Sequence, residues 1–454
     1  MRVVLAHGSV FLFIAAFAAY YGQLHRTRSG DSYGTVYTAV AIVEHGTIRL
    51  DRYLRAFQER SSLHPYQLVR DTDGHLVNRY PIASALAAVP AVAVLAATGT
   101  TDADWDTWME AGMLTASLLT ALSVAVLFVA LTRLTTRERA MIAAIAYGFG
   151  TIAWPVAAQA LAQHAGAMLM LCLGLLALVD RRFALAGAAL AAMVAFRTTT
   201  PVIAVCLLPL VGRSARDWGR FALGALPVGL AVGAYNTAVF GSWHSSGYTA
   251  TRVGGGSETL SGSFLHGLLG NLVAPGRGLF VYSPVLLFAV AGAVIGWRNP
   301  LMRWCAIAAA ADVILFARFN GWSGGQSFGP RLLSELLPLL AVLLVPALDR
   351  ISGTRWRIVF GIALGWSVAV QLLAAATPAH TWFDARPIRS FGVWWHPLDN
   401  EIVTLATTDA MPLHVATMAA IVTAGALLGV AGAYAVEELS GSSRQPGASG
   451  RPAT

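Results

Sequence analysis

The chain contains no lysine; all 31 of its basic residues are arginine. Charge of either sign is scarce, at 12% of residues, against roughly 25% in soluble domains. With 56% hydrophobic residues and a mean hydropathy of +0.61, the composition excludes an ordinary water-soluble enzyme. It points to an integral membrane protein. Only three cysteines are present, Cys172, Cys206 and Cys305. All lie inside apolar runs, which suggests neither a disulfide framework nor a thiolate metal site. A P-loop, a dinucleotide fingerprint, GxSxG and HExxH are absent as well. Use of ATP or a nucleotide sugar by short inner loops is therefore not expected. The net charge of +8 implies no nucleic acid, because inner loops of membrane proteins are arginine-rich.

What is present is a series of apolar segments. The first, Leu5 to Tyr21, follows Arg2. Its AFAA end resembles a signal-peptidase site, but a retained anchor is the expectation. Further spans are expected at about 109–132, 140–155, 164–180, 183–197, 200–212, 219–239, 279–297, 303–318, 332–348, 358–377 and 414–436. That makes an all-α protein of about twelve transmembrane helices. Ile82 to Ala97 is apolar but gives only about 24 Å of helix, short of a bilayer core of about 30 Å. If that segment only lies at the outer interface, the inside carries 16 arginines and the short outer loops and span ends carry seven. The positive-inside rule favours this arrangement. Both termini are then cytoplasmic and the long loops face outward. Residues 1–438 form one polytopic domain, residues 22–108 its first outer loop with interfacial helices. Residues 439–454, rich in Gly, Ser and Pro, are expected to be a disordered cytoplasmic tail.

The outer loops hold the polar and aromatic residues. From Ser32 to Glu44 a helix is expected, with Val36, Val40 and Val43 on one face. Asp31 is then its N-cap, or an exposed carboxylate held where a base is useful; Gly46 is its stop. Gln163 and His164 sit where two spans meet; His164 is either a satisfied interfacial residue or a group titrating near neutrality. Arg277, between glycines, suits a phosphate oxygen or a lipid headgroup. Trp322 stacks on a sugar or joins the interfacial aromatic belt, and Arg331 ends the same loop, WSGGQSFGPR. Asp312 and Glu335 lie inside spans, and pairing with nearby Arg318 and Arg331 is the expected way to hold them.

Taken together, the motifs carry a resemblance. The stretches GDSYGTVYTAVAIVEHGTIRLDRY, DGHLVNRYPIASALAAVP, GTIAWPVAAQALAQHAG, GLLGNLVAPGRGLFVYSPVLLF and WSGGQSFGPRLLSELLP resemble the GT-C superfamily of membrane glycosyltransferases. They are most similar to an uncharacterised bacterial branch of it. The resemblance covers most of the chain up to about Pro338. It implies a bacterial plasma-membrane enzyme that transfers a sugar, with inversion, from a polyprenyl-phosphate carrier to an envelope glycan, lipid or protein acceptor on the outer face. Asp31 matches the family's acid in the first outer loop. Arg79, before Tyr80-Pro81-Ile82, falls next to where relatives set a basic residue against the carrier phosphate. Tyr33, Tyr80, Gln163, Tyr248, Arg277, Trp322 and Arg331 are the remaining candidate substrate contacts. Relatives often follow the acid with Glu; Ser32 stands here, so no metal site is indicated and no cofactor is required. A second acid found in some relatives is replaced around Gln163 and His164, which makes His164 the second catalytic candidate. The physics of the reaction needs a base, for which Asp31 is the candidate. It also needs cations on the departing phosphate, for which Arg79 and Arg277 are candidates. A lipid-linked glycan flippase and an inactive scaffold of the same fold are the alternatives.

Overall fold

The computed structural model describes residues 2–24, 29–60, 65–102, 104–250, 259–377, 382, 391–409 and 411–442. Almost every element is a helix. The chain opens with α1 (Arg2–Ala6) and α2 (Gly8–Tyr21). The first long loop folds as α3 (Gly30–His45), α4 (Leu54–Arg60), an antiparallel ribbon of β1 (Leu68–Arg70) and β2 (Leu76–Asn78), then α5 (Ile82–Ala97). Next come α6 (Trp105–Leu131), α7 (Arg137–Phe149), α8 (His164–Val179), α9 (Phe183–Phe196), α10 (Pro201–Leu207) and α11 (Ala215–Phe240). They are followed by α12 (Phe264–Val273), α13 (Leu279–Tyr282), α14 (Leu287–Ile295), α15 (Pro300–Ala317), α16 (Leu337–Arg350) and α17 (Thr354–Ala376). Last are α18 (Glu401–Ala406) and α19 (Met411–Ser442).

Among the described residues, α6, α11, α15, α17 and α19 are long and apolar enough to cross a membrane. The 27 residues of α6 extend about 40 Å, more than the hydrocarbon core requires. Several shorter helices, α2, α5, α8 and α9 among them, are apolar too. The expected spans overlap helices with shifted ends, with two corrections. The segment at 140–155 is helical only to Phe149, and a separate π turn (Ala153–Ala157) follows. The segment at 279–297 is not one helix. It breaks at Ser283-Pro284 into α13, a 3₁₀ turn (Pro284–Leu286) and α14, because Pro284 has no N–H to continue the ladder.

The helices pack closely where side chains are small. At the crossing of α9 and α11, a Cβ on Gly187 would collide with the carbonyl of Phe221, and one on Gly224 with the carbonyl of Ala184. Backbones meet there directly, as small residues allow between membrane helices. The last helix, α19, runs along α2 in the same way, with Gly425 and Gly429 against Ala15, Ala18 and Phe11. Chain ends far apart in sequence are thereby joined.

The first long loop has an apolar core of its own. Val36, Tyr37 and Val40 from α3 pack with Tyr53, Phe57, Trp105 and Trp108, and α3 lies across α5 and α6. Two expectations for α3 meet different outcomes. Gly46 does end it, in the left-handed conformation (φ 61°), with the amide of Thr47 donating to Ala41 O. Asp31 is not its N-cap. Ser29 holds the cap position, Asp31 lies within the first turn, and its carboxylate points to other groups.

The close α9–α11 crossing gives a direct test. Gly224→Ala should cost about 1–3 kcal/mol of overpacking and lower the thermal midpoint of the detergent-solubilised chain. Gly361→Ala, with nothing within 4 Å of the new Cβ, should leave the midpoint unchanged or raise it. Equal midpoints would contradict the crossing.

Candidate functional site

Asp31 lies where three parts of the chain converge. Its Oδ1 accepts hydrogen bonds from the hydroxyls of Tyr66 (2.9 Å) and Tyr80 (2.7 Å), and its Oδ2 from Arg331 Nη1 at 2.5 Å. Tyr66 precedes β1, Tyr80 follows β2, and Arg331 begins the 3₁₀ turn leading to α16. The ribbon is fastened to α3 by Gln67, whose Nε2 donates to Gly30 O at 3.0 Å, and by Asn78. Asn78 donates to Thr35 Oγ1 (3.3 Å) and accepts from the amide of Tyr80 (3.2 Å). Its side chain fills the space where Gly34 lacks a Cβ. Burial alone would raise the Asp31 carboxyl, but Arg331 and the two phenols outweigh it and lower it to about 2. At neutral pH this is a stable carboxylate and, as it stands, a weak base.

A second group adjoins the first. The Arg79 guanidinium lies over the Tyr248 ring, 4.5 Å from its centroid, and Tyr248 meets Tyr80 edge-on at 6.1 Å. Gln163 Nε2 donates to Tyr248 Oη at 2.6 Å. Gly247 rests on the backbone of Arg79, where any side chain would collide. So Asp31, Arg79, Tyr80, Gln163, Tyr248 and Arg331 form one continuous cluster. Tyr33 packs edge-on against Trp105 at 4.9 Å, in the loop core beside Tyr66.

Deeper in the bundle, His164 joins a different set. Its Nδ1 lies 2.8 Å from Glu335 Oε1, and Arg197 Nη1 reaches the same oxygen at 3.1 Å. All three residues are buried, as is Asp312. The ring of His164 therefore bonds to Glu335 and Arg197 rather than to any member of the Asp31 cluster. The expected charge pairing is corrected: Glu335 is held by Arg197 and His164, while Arg331 goes to Asp31. Three residues separate Arg331 from Glu335, so one short segment carries a partner for each set.

Arg277 does not stand ready for a phosphate. It is fully buried and paired with the fully buried Glu401 at 2.9 Å. It also donates to the carbonyls of Gly325, Ser327 and Gly329 and lies over the Trp394 ring at 4.2 Å. Glu401 Oε2 in turn accepts from Tyr282 (2.8 Å) and the amide of Gly329 (3.1 Å). This buried pair fixes the glycine-rich loop that delivers Arg331. Trp322 belongs to the same assembly, packed on Gly270 and 6.3 Å from the Trp394 ring. It is part of an aromatic cluster with Trp382 and Trp394 rather than a free stacking surface.

Among the described residues, no group of three or more His, Cys, Asp or Glu side chains is placed to hold a metal ion. Reading the sequence missed Tyr66, and it left Glu401 and Trp394 without a role. Each acts through a contact across tens or hundreds of residues, for which no local pattern exists. No family model matches this chain, and no curated protein or solved structure matches it.

The role of Arg277 is open to measurement. Glu401→Leu leaves a buried cation unpaired and should destabilise the chain by about 3–5 kcal/mol. Replacing both partners, Arg277→Leu with Glu401→Leu, should recover much of that loss in thermal unfolding. A destabilisation by the double variant equal to or greater than the single would overturn the pairing.

Proposed function

We propose that the chain is a multispanning transferase of the GT-C kind, moving a sugar from a polyprenyl-phosphate carrier to an acceptor hydroxyl at the outer face of a bacterial plasma membrane. In this reading about twelve helices span, both termini are cytoplasmic, and α3 to α5 lie at the outer interface. The observation that carries it is convergence. The motif stretches that bear the resemblance, far apart in sequence, bring Asp31, Tyr80, Arg79, Gln163 and Arg331 into one cluster.

The chemistry asks for little more than this cluster holds. The acceptor oxygen attacks the anomeric carbon, the bond from that carbon to the phosphate oxygen breaks, and the configuration inverts. The carrier leaves as its monophosphate, a good leaving group. The acceptor's proton passes to Asp31. In an oxocarbenium-like transition state the proton leaves late, so the base need only be positioned when the C–O bond has largely formed. Arg331 supplies positive charge for the departing phosphate, and Arg79, buried beneath Tyr248, adds to the local field without touching it. Arg277 acts through the loop it holds.

One observation favours the inactive-scaffold reading: both oxygens of Asp31 are already engaged. The test is transfer from a radiolabelled polyprenyl-phosphate sugar by purified chain in detergent. Asp31→Asn retains the shape and the phenol contacts, so donor binding should persist while transfer falls by roughly 10²–10⁴. Undiminished transfer by Asp31→Asn would remove the base assignment. Donor binding by the wild type without transfer to any acceptor pool would favour a flippase or scaffold.

A further inference from the structure

We infer that Arg331 is shared between Asp31 and the donor's phosphate, so that seating the carrier phosphate draws Arg331 away and frees Asp31 to accept a proton. The inference rests on reading the site as one for a lipid-phosphate-linked sugar.

Access singles out Arg331. Arg277 is enclosed at 0% exposure, and Arg79 is 2% exposed beneath Tyr248. The Arg331 side chain keeps 21% exposure, the most of the three. The contacts of Asp31 are also divided in a telling way. Arg331 holds Oδ2, while Tyr66 and Tyr80 both hold Oδ1. If Arg331 leaves, the carboxylate stays positioned by two phenols and gains a free oxygen for an acceptor hydroxyl.

The competition favours a phosphodiester. Its two non-bridging oxygens match the guanidinium fork, whereas Asp31 offers Arg331 one oxygen. Glycines make the room that the Arg331 side chain occupies. Gly324 and Gly325, both at positive φ (74° and 71°), pass alongside the side chain, and a Cβ on Gly324 would press on Arg331 Cγ at 2.9 Å. The carbonyls of the same loop are held by Arg277 from the other side. A substituent at residue 324 would thus block the path that the glycines leave open.

The exchange changes the chemistry of Asp31. In the resting arrangement Arg331 is the strongest influence lowering the carboxyl, against a burial effect that raises it. The other groups around Asp31 are Tyr66 and Tyr80, with Tyr33, Tyr248 and Arg79 alongside. None of the phenols replaces a full positive charge. Removing Arg331 therefore takes away the largest influence that lowers the carboxyl and makes Asp31 a better base, at the moment the leaving group is in place. Binding order follows: donor first, acceptor second.

The test is a double-mutant cycle on binding of farnesyl phosphate, a short polyprenyl phosphate without sugar, to the purified full chain by calorimetry. Arg331→Gln should weaken binding roughly tenfold, the usual worth of a charged hydrogen bond. Asp31→Asn should tighten it by at least about threefold, within the ordinary coupling of contacting residues. The tightening should vanish when Arg331→Gln is already present and persist with Arg331→Lys, which guards against misfolding. Equal tightening in both backgrounds would reduce the effect to simple repulsion and overturn the inference, as would no tightening at all. Sugar transfer separates this from the functional reading. Coupling without transfer sinks the transferase alone; transfer without coupling sinks only the shared arginine.

Discussion

The ion pair between Asp31 and Arg331 joins positions 300 residues apart, and the arrangement of the site depends on it. One partner stands on the first turn of α3, which is fixed by the ribbon and the aromatic core of the first long loop. The other begins the segment entering α16, held by a glycine-rich loop. Neither side chain is useful alone. A carboxylate this enclosed needs its cation, and a cation with both surfaces buried is closed to a ligand. Partial exposure of the pair, at 16% and 21%, is the feature on which the proposal that this structural contact also binds a ligand rests.

The buried pair Arg277–Glu401 stands one layer behind and has the opposite character. Breaking such a pair by removing one partner is strongly destabilising, so these residues behave as a fixed support. Three loop carbonyls, a backbone amide, a phenol and an indole ring meet there. The set of Glu335, Arg197 and His164 is a second support, anchoring the same short segment four residues beyond Arg331. With buried ion pairs on both sides, the partly exposed Arg331 is the side chain proposed to respond to an anion.

Much of the architecture was legible in the amino-acid sequence, because membrane helices announce themselves through apolar length. The helix from Ile82 to Ala97 and the stop at Gly46 were read at the residue level. The break at Ser283-Pro284 was not, since apolar residues continue on both sides and hydropathy does not register a missing N–H. The ribbon escaped because strands of three residues carry too little alternation to detect. The short α12 and α18 escaped because they lie in loops read for their polar residues. At the site, the motif residues Asp31, Arg79, Tyr80, Gln163, Tyr248 and Arg331 did come together. Partner choice was the part that local pattern could not supply. Arg331 was expected to balance acids inside the bundle as well as to touch substrate, and Arg277 to meet a phosphate or a lipid headgroup. Which arginine is enclosed and which is reachable is decided by packing among distant segments, as Tyr66 and Glu401 also show.

The Asp31–Arg331 contact is proposed as the place where a lipid phosphate binds. The most direct measurement is a cryo-electron microscopy structure of the chain in nanodiscs loaded with a polyprenyl phosphate. The account predicts phosphate density against the Arg331 guanidinium, with that side chain withdrawn from Asp31 and Asp31 still held by Tyr66 and Tyr80. Phosphate seated elsewhere, with the Asp31–Arg331 pair intact, would contradict it.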